Sequence, residues 1–556
     1  MIEEYQKADS GPKEIFAIEE VRKDENRNKY LAGDAYANAL LTQETPAAAA
    51  GYFRVLGFSS LLYAIVYTVC MYQNSSGITM PVWVAATVWY SCAAMKRIPG
   101  GIGRLRRGSL FYIVVMLLLG FSVCMTDQPY MILFDYFGFL GMLLLFLLHN
   151  FCDDRQWDLS KRLAEMIVAV FGAVGCMLTP FTDGFACWQE KGGKKNHALW
   201  AALLGLLFAV PGVLFLGFCL MSADAVFDAM VTRLLAGVWV PVRVLRVLVM
   251  LLFGYFSSYC GLRYLACRSR VAAKVHRTAF HPAAAMAFVG LILVMYLVFS
   301  GIQVWYLFAG SGRLPQGMSY AQYAQRGFYM LLFVCVVNVV LVMLLRKYFA
   351  PHQLLNAMLL LLCVCTYVML ASSAYRMCLY IHAYQLTFLR VLVLAALAVL
   401  AFLLVGVMLY IIKAQFPLFR YMTAVVSVSY LILSFARADG LIASYNLSHM
   451  EDAVQMDWEY LSRLSLDAAA AVADYYAQAP WQVREEMECS AQLAKQLSDG
   501  IGGGLEWEVG EESPIKRYWF VSFMKRVYDA EKNLGLRSFN FSRCQAVRLL
   551  NKIENS

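Results

Sequence analysis

Residues 387–412 read TFLRVLVLAALAVLAFLLVGVMLYII, and Arg390 is the one charged residue in this run. An α-helix needs about 20 consecutive apolar residues to cross the hydrocarbon core of a bilayer, so a run of this length predicts a transmembrane helix. Similar runs recur through the first 437 residues. Together they predict an all-α fold, a polytopic bundle of transmembrane helices.

The composition of the chain agrees with this prediction. Hydrophobic residues make up 60% of the 556 positions, charged residues make up 15%, and the mean hydropathy is +0.57. A soluble protein usually carries about 25% charged residues. The net charge of +9 comes from lysines and arginines in short loops between apolar runs, where they face lipid phosphates. We therefore expect the lipid bilayer as a partner, and no nucleic acid.

Eleven apolar runs are long enough to be predicted as membrane spans. They are residues 55–73, 78–95, 109–125, 130–149, 198–221, 248–266, 283–309, 329–345, 354–374, 387–412 and 418–436. Two further stretches, 163–181 and 226–245, contain charged residues, and we interpret them as interfacial or half-buried helices. The sequence leaves open whether these two stretches cross the membrane.

Lysine and arginine in short loops predict the orientation of the chain. If 163–181 does not cross, nineteen basic residues fall in loops on one side of the membrane and six fall on the other. The N-terminus lies on the basic side and is predicted to be cytoplasmic. Residues 1–30 have no apolar stretch, so no cleavable signal peptide is expected. Eleven crossings of the cell membrane then place the C-terminus outside the cytoplasm.

Three regions are predicted along the chain: a polar, partly disordered segment over residues 1–50, the transmembrane bundle over 51–437, and a helical domain over 438–556. In the last region, Ser465 precedes the run 466–476, Pro480 opens a run that closes at Gly500, Ser513 and Pro514 open 515–533, and Ser542 opens 543–553. Polar caps, proline in the first turn and glycine at the end are ordinary helix boundaries. They predict a small domain of four or five short helices.

Four side chains at the inner end of the fourth span are the candidates for a metal site: His149, Asp153, Asp154 and Asp158. They loosely resemble the aspartate-rich motifs that hold Mg²⁺ and diphosphate in prenyl-transferring enzymes, where carboxylates hold hard cations. Such sites need a second acidic motif on a facing helix, and we find none on the inner side. The favoured interpretation is a solvated helix end whose charges contact Arg155. We therefore predict no metal and no cofactor.

Catalytic motifs are missing from the sequence: it has no nucleophile-elbow serine, no HExxH helix and no CxxC pair. We assign no catalytic residue. Two ionisable residues, Asp135 and Arg390, fall inside predicted spans, where burial is costly and such residues are candidates for function. An ion pair between these two side chains would give them a structural role instead.

Five strings of the sequence, taken in order, carry a family resemblance. They are LMSADAVF (220–227), LPQGMSYAQYAQRGF (314–328), DGLIASYNL (439–447), YLSRLSLDA (460–468) and RSFNFSR (537–543). Together they resemble a bacterial multipass membrane family known as domain of unknown function 4173, with 4153 as a near relative. The resemblance covers roughly residues 50–550 and implies a membrane class but no activity. Ala438 and Ser444 depart from the family pattern, which has a proline and an arginine at these positions.

The resembling strings fall at the predicted outer ends of spans, which suggests a cluster of outer loops beneath the C-terminal region. Its candidate residues are Asp224, Tyr323, Arg326, Asp439, Tyr445 and Asn446. Asp224, Arg326 and Asp439 would supply charge pairs, and the other three would supply hydrogen bonds. The alternative is loop packing without a ligand.

Three functions remain open at the level of the sequence. The first is a non-enzymatic membrane protein, a sensor, scaffold or assembly factor whose helical tail binds a protein partner. The second is a transporter or lipid-handling permease, which inverted repeats with broken helices would favour. The third and least favoured is a membrane-embedded transferase that acts through Asp153, Asp154 and Asp158.

Overall fold

The structure is a computed structural model. It describes residues 46–99, 101–154, 157, 159–190, 242–268, 280–305, 320–413, 415–449, 457–499 and 513–554, together with Leu216, Leu220, Ala223, Asp224, Val226, Phe227, Ala229, Met230 and Arg233. These residues form helices and connections, and no β-strand occurs among them apart from one isolated bridge between Phe280 and Phe349. The protein is therefore all-α, as predicted.

The helices follow one another along the whole described chain. In order they are α1 (Pro46–Met71), α2 (Thr79–Arg97), α3 (Ser109–Met125), α4 (Pro129–Phe151), α5 (Leu159–Gly175), α6 (Thr179–Glu190), α7 (Val242–Arg268), α8 (Pro282–Val304), α9 (Tyr320–Tyr348), α10 (Gln353–Tyr384), α11 (Phe388–Ile412), α12 (Leu418–Phe435), α13 (Ala438–Ser448), α14 (Trp458–Arg463), α15 (Ala469–Gln478), α16 (Trp481–Ser498), α17 (Ser513–Lys532) and α18 (Phe541–Glu554). A 3₁₀ turn, Leu466–Ala468, precedes α15.

Eight of the described helices are long and apolar enough to cross a membrane, judged by length and composition: α1, α4 and α7 to α12. Their outward side chains are apolar, and Phe58, Leu291 and Met330 are among the exposed ones. In water such a surface would be costly, whereas lipid tails solvate it. The chain is a multi-pass integral membrane protein.

The eleven predicted spans agree only in part with these eight helices. Eight of them fall on the eight span helices. The run 78–95 is helix α2, which ends in Lys96 and Arg97 and is not among the span helices, and the run 109–125 is α3, an apolar helix of 17 residues. The run 198–221 lies outside the described residues except for Leu216 and Leu220.

The stretch 163–181 that we interpreted as interfacial is a broken helix. Helices α5 and α6 bend by 55° at a break of no more than four residues, and together they have the length and composition of a ninth span or of a re-entrant loop. Pro180 opens α6, which suits the first turn of a helix because proline has no N–H to bond there. Of the stretch 226–245, only some residues are described.

The chain forms two compact units. The first comprises Met1–Tyr72, Ala85–Ile113 and Leu143–Val275, and the second comprises Gln73–Val84, Val114–Met142 and His276–Ser556. In the first unit α7 packs along α1 and α5, and α1 also packs along α6. Glycine permits a close contact here, because a Cβ at Gly172 would collide with the ring of Tyr264.

The second unit has two apolar cores. One lies among α8 to α12 and is lined by residues such as Val289, Cys335, Leu359 and Val407. The other lies among α13 to α18, and Phe388 at the start of α11 packs against it. Helices α13 to α18, the C-terminal helices, thus belong to the same unit that holds most of the spans.

Helix boundaries in the C-terminal region agree with the predicted ones to within a few residues. Helix α16 begins directly after Pro480, α17 begins at Ser513, and α18 begins at Phe541, next to the predicted cap Ser542. The division of the chain at residues 50 and 437 stays a prediction, and residues 1–45 lie outside the described part.

Candidate functional site

The three-residue connection between α3 and α4 is the point at which the C-terminal helices are held. Helix α3 ends at Met125 and Pro129 opens α4, so Thr126, Asp127 and Gln128 form a tight link. Thr126 and Gln128 are buried although they are polar. Buried polar groups need partners, and the partners of these residues come from the C-terminal region.

Asp467 makes the first contact with this connection. It lies in the 3₁₀ turn before α15, and its side chain is buried. Oδ2 accepts a hydrogen bond from the hydroxyl of Thr126, and Oδ1 accepts one from the backbone N–H of Asp127 at 2.8 Å. The Asp127 N–H lies at the positive end of α4, where a carboxylate is favoured.

Asp439 makes the second contact, from the first turn of α13. Its Oδ1 accepts from Nε2 of Gln128 at 3.1 Å, and its Oδ2 accepts from the backbone N–H of Ser465 at 2.9 Å. Burial raises the pKa of the Asp439 carboxyl, although the bonds from Ser465 oppose the shift. The carboxylate therefore ties the α3–α4 connection to two separate parts of the C-terminal region.

Two arginines balance part of the negative charge. Arg543 on α18 donates from Nε to Oδ1 of Asp127 at 2.8 Å. Burial raises the pKa of the Asp127 carboxyl, and the charge of Arg543 opposes this shift. Arg526 on α17 donates to the carbonyl of Ser462 at 2.7 Å. Burial lowers the pKa of Arg526, while the charges of Asp127 and Asp439 oppose the shift, so the guanidinium lies within reach of their fields.

Asn540 joins the start of α18 to the end of α3. Its Nδ2 donates to the carbonyls of Ser76 at 3.0 Å and Thr126 at 2.8 Å, and its Oδ1 accepts from the N–H of Ser542 at 3.0 Å. Ser542 donates to the carbonyl of Met125 at 2.8 Å. The last carbonyls of an α-helix have no partner within the helix, and here α18 supplies donors for them.

Not every atom of this network has a partner. Among the described residues, Oε1 of Gln128 and Nε of Arg526 are buried without a hydrogen bond. An unpaired buried acceptor costs about 1–3 kcal/mol. The network is therefore strong at Asp467 and Asn540 and weaker around Gln128.

Three of the six predicted outer-loop residues lie on α13. Asp439 is bonded as described above. Asn446 is buried and exchanges two hydrogen bonds with Leu386, to its N–H at 2.8 Å and its carbonyl at 2.9 Å. The ring of Tyr445 stacks on His449 with centroids 4.4 Å apart. These bonds fasten the connection between α10 and α11 to α13.

The other three predicted residues are described less fully. Asp224 accepts from the backbone N–H of Val226 at 2.8 Å, a local turn contact. Tyr323 and Arg326 lie on the backbone of α9, and their side chains are outside the description. The joining of all six side chains in one cluster stays a prediction.

The metal candidates of the first unit form an ion-pair network. Asp154 is buried, and its Oδ2 contacts Nδ1 of His149 at 2.9 Å and accepts from Arg162. Burial would raise the pKa of Asp154, but the bonds from His149 and Arg162 outweigh it and lower the pKa to about 2. Asp153 is exposed and lies 3.6 Å from Arg106. Asp158 is outside the description.

Two arginines are described as partners of the carboxylates at this end of α4. Arg155, the residue we expected to contact these carboxylates, lies outside the description, and Arg162 and Arg106 are the recorded partners. Among the described residues, no group of three His, Cys, Asp or Glu side chains is placed to hold a metal ion. Oδ2 of Asp154 is already in contact with His149 and Arg162.

The ion pair considered between Asp135 and Arg390 is not formed. Asp135 on α4 bonds to Tyr430 and Ser434 of α12. Arg390 donates to the carbonyls of Tyr384 and Gln385, and its guanidinium lies 4.2 Å from the ring centre of Tyr380. Arg390 thus caps the end of α10, because free carbonyls at a helix C-terminus attract a cation.

A second buried ion pair was missed in the sequence. Asp183 on α6 accepts from Nε of Arg263 at 2.9 Å and from the hydroxyl of Tyr259 at 2.8 Å, both on α7. The guanidinium of Arg263 also lies 4.0 Å from the ring centre of Tyr52. Arg263 and Asp183 are each 2% exposed. Arg263, a charged residue inside the apolar run 248–266, was the feature of the sequence that could have indicated this ion pair.

The class and the family follow from these observations. Spans, buried polar contacts and a helical C-terminal region define a multi-pass membrane protein. The family described as a domain of unknown function (DUF4153) matches residues 113–475, and the chain belongs to this family. The sequence strings suggested this family as a near relative of domain of unknown function 4173, and a match to 4173 itself is not shown. No curated protein and no solved structure matches the chain.

Proposed function

We propose that this protein is a non-enzymatic membrane protein, a sensor, scaffold or assembly factor, that binds a protein partner through its C-terminal helices. One observation carries the proposal: Asp467, Asp439 and Asn540 fasten these helices to the α3–α4 connection through buried hydrogen bonds. A segment held in this way presents a fixed surface. Binding to a fixed surface avoids the entropy cost of ordering a flexible tail.

The surface that would contact the partner includes exposed aromatic residues. Trp481 opens α16 and is 65% exposed, and Tyr518 on α17 is 48% exposed. Trp and Tyr are enriched among the residues that dominate protein–protein binding energy. Exposed aromatic side chains on a polar helical surface therefore support a partner that is a protein.

The orientation of this surface is part of the same proposal. The C-terminal helices contact the Met125–Pro129 end of α3 and α4. If 163–181 does not cross the membrane, the distribution of basic residues favours the extracytoplasmic side of the cell membrane for that end. We accordingly propose that the partner binds outside the cytoplasm.

Site-specific photo-cross-linking in cells tests the proposal. A photoreactive residue at Trp481 is expected to give one discrete protein adduct, whereas the same residue at Glu486, exposed on another face of α16, gives none. The captured protein should then recover the full-length chain in the reciprocal purification, and W481E should abolish this recovery while membrane levels stay normal. Equal adducts from both positions, or recovery unaffected by W481E, would refute a specific partner surface.

A transporter or lipid-handling permease is the second candidate, and one observation favours it. The broken pair α5 and α6 carries Asp183 on its second half, buried against Arg263. Broken helices with buried charges occur at the binding sites of many transporters. Reconstitution into vesicles that contain a fluorescent lipid separates the two candidates. Faster movement of that lipid between leaflets with the wild type than with empty vesicles, lost in D183N, would favour the permease.

A further inference from the structure

A buried carboxylate inside the membrane span α4 has an unusual set of neighbours. Asp135 is the seventh residue of α4, so it lies about 9 Å along the axis from the start of the helix at 1.5 Å per residue. Its side chain is 1% exposed. The carboxylate therefore lies inside the bundle, one to two turns from the end at which the C-terminal helices are held.

Hydroxyl groups surround this carboxylate. Tyr430 donates to Oδ1 at 2.7 Å, and the hydroxyl of Ser434 lies 3.0 Å from Oδ1 and 3.2 Å from Oδ2. Ser122 on α3 contacts the hydroxyl of Ser434 in turn. Three helices, α3, α4 and α12, thus contribute to one small polar cluster.

Positive charge is missing from the cluster. Within the part of the chain that the structure describes, no lysine, arginine or histidine lies within ion-pair distance of Asp135. Tyr430 is the titratable group that faces it from α12, α3 presents Ser122, and α2 presents Met80 and Trp83 to α4. An isolated buried carboxylate is costly, and hydroxyl dipoles offset only part of this cost.

A bound proton removes this cost. The neutral acid carries an O–H donor that Ser434 can accept, and the hydroxyl of Ser434 can then turn toward Ser122, because each hydroxyl both donates and accepts. A metal ion fits less well. It would have to lie between its oxygen ligands, whereas here the oxygens already contact one another at hydrogen-bond distance.

We propose that Asp135 is a proton-binding site within the membrane, formed with Ser122, Tyr430 and Ser434. The three segments that form the site continue directly into the network at the C-terminal region: Thr126 follows Ser122 by four residues, Gln128 precedes Asp135 by seven, and Asp439 follows Ser434 by five. This site is independent of any protein partner.

Infrared spectroscopy of the full-length protein in lipid tests the site. At neutral pH the wild type should show the carbonyl band of a protonated carboxylic acid, which shifts in D₂O, and D135N should lack it. D154N is the matched control because Asp154 is ion-paired with Arg162, and it should keep the band. Identical spectra for wild type and D135N would overturn the proposal.

Two further arms keep the test decisive. If D135N does not fold, S434A and Y430F should each shift the frequency of the band by removing one hydrogen bond, and an unchanged band in both variants would overturn the assignment. Replacing choline chloride by sodium chloride at constant ionic strength should leave the band in place. Loss of the band in sodium would show a metal-cation site instead of a proton site.

Discussion

At the scale of single residues, Asp467 helps to hold the C-terminal region because it satisfies two donors at once. Without it, the hydroxyl of Thr126 and the N–H of Asp127 would be buried at the end of α4 with no acceptor. Leaving a buried donor unpaired costs more than a hydrogen bond gains on average. Asp439 acts in the same way on Gln128 and Ser465.

Substitution of Asp467 tests this role. D467N keeps the shape of the side chain but offers one acceptor oxygen instead of two, so one of the two donors loses its partner. We expect a loss of about 1–3 kcal/mol in the free energy of unfolding, seen as a lower thermal midpoint in detergent. D474N, at an exposed position of α15, is the control and should match the wild type. Equal midpoints for D467N and D474N would contradict the role of Asp467.

The raised pKa of Asp439 predicts that its contribution to the free energy of unfolding falls as the pH rises, which is the opposite of ordinary acid denaturation. Because burial raises the pKa of Asp439 above 3.8, the folded protein holds this proton more tightly than the unfolded chain. Its contribution to stability is complete below 3.8 and is lost as the pH rises through the raised pKa. Asp154, with its pKa lowered to about 2, loses its contribution only in more acidic solution.

The measurement follows thermal midpoints from the ordinary pKa of 3.8 up to neutral pH. Relative to D439N, the wild type should gain stability on going to the lower pH. D474N should retain the pH slope of the wild type. If the thermal midpoint of the wild type changed with pH as that of D439N does, Asp439 would titrate alike in the folded and unfolded states.

At the scale of elements, α18 closes the C-terminal region by capping α3. Asn540 caps the start of α18, because its Oδ1 accepts a hydrogen bond from the N–H of Ser542. Its Nδ2 donates to carbonyls near the end of α3, so one side-chain amide bonds two helix ends. A helix cap alone is worth about 1 kcal/mol. The additional bonds to buried carbonyls make this position more important than an ordinary cap.

N540A should therefore loosen α18 selectively. The variant loses the cap and the bonds to Ser76 and Thr126, for an expected cost of about 2–4 kcal/mol. Hydrogen exchange measured over 541–554 should accelerate, while exchange in α8 to α11 stays unchanged. R548A, on the exposed face of α18, is the control. Uniform acceleration across all helices would indicate global unfolding and contradict a local clamp.

The elements could be predicted from sequence more completely than their contacts. Pro480, Ser513 and Ser542 lie at or next to helix starts, as predicted, because capping and proline effects act within a few residues. The break between α5 and α6 was not predicted, because a bend of 55° depends on packing as well as on the local sequence.

The contacts of the site were harder to predict for a physical reason. Asp127 and Arg543 are 416 positions apart, and no periodicity in the sequence links residues at that distance. The strings that suggested a family did contain Asp439, Asp467, Asn540 and Arg543. They indicated which segments to consider, but not that the α3–α4 connection is where these four residues meet.

At the scale of the whole molecule, the side on which the C-terminal helices lie decides which partners can reach them. The native thiol of Cys489 is exposed on α16 and offers a direct measurement. A membrane-impermeant maleimide added to intact cells should label it, since the basic loops predict an extracytoplasmic position. C489S provides the control, because loss of the maleimide label in this variant shows that Cys489 is the labelled thiol. Labelling confined to inverted vesicles would reverse the predicted orientation.

The joint between Asn540 and the end of α3 also bears on how the chain is made. A ribosome finishes Thr126 more than 400 residues before it reaches Asn540 and Arg543. During that interval the carbonyls and the carboxylate at the α3–α4 connection have no protein partner and must stay in contact with water or with a chaperone. Translation that stops before residue 540 would leave these carbonyls and this carboxylate without the partners that α18 supplies.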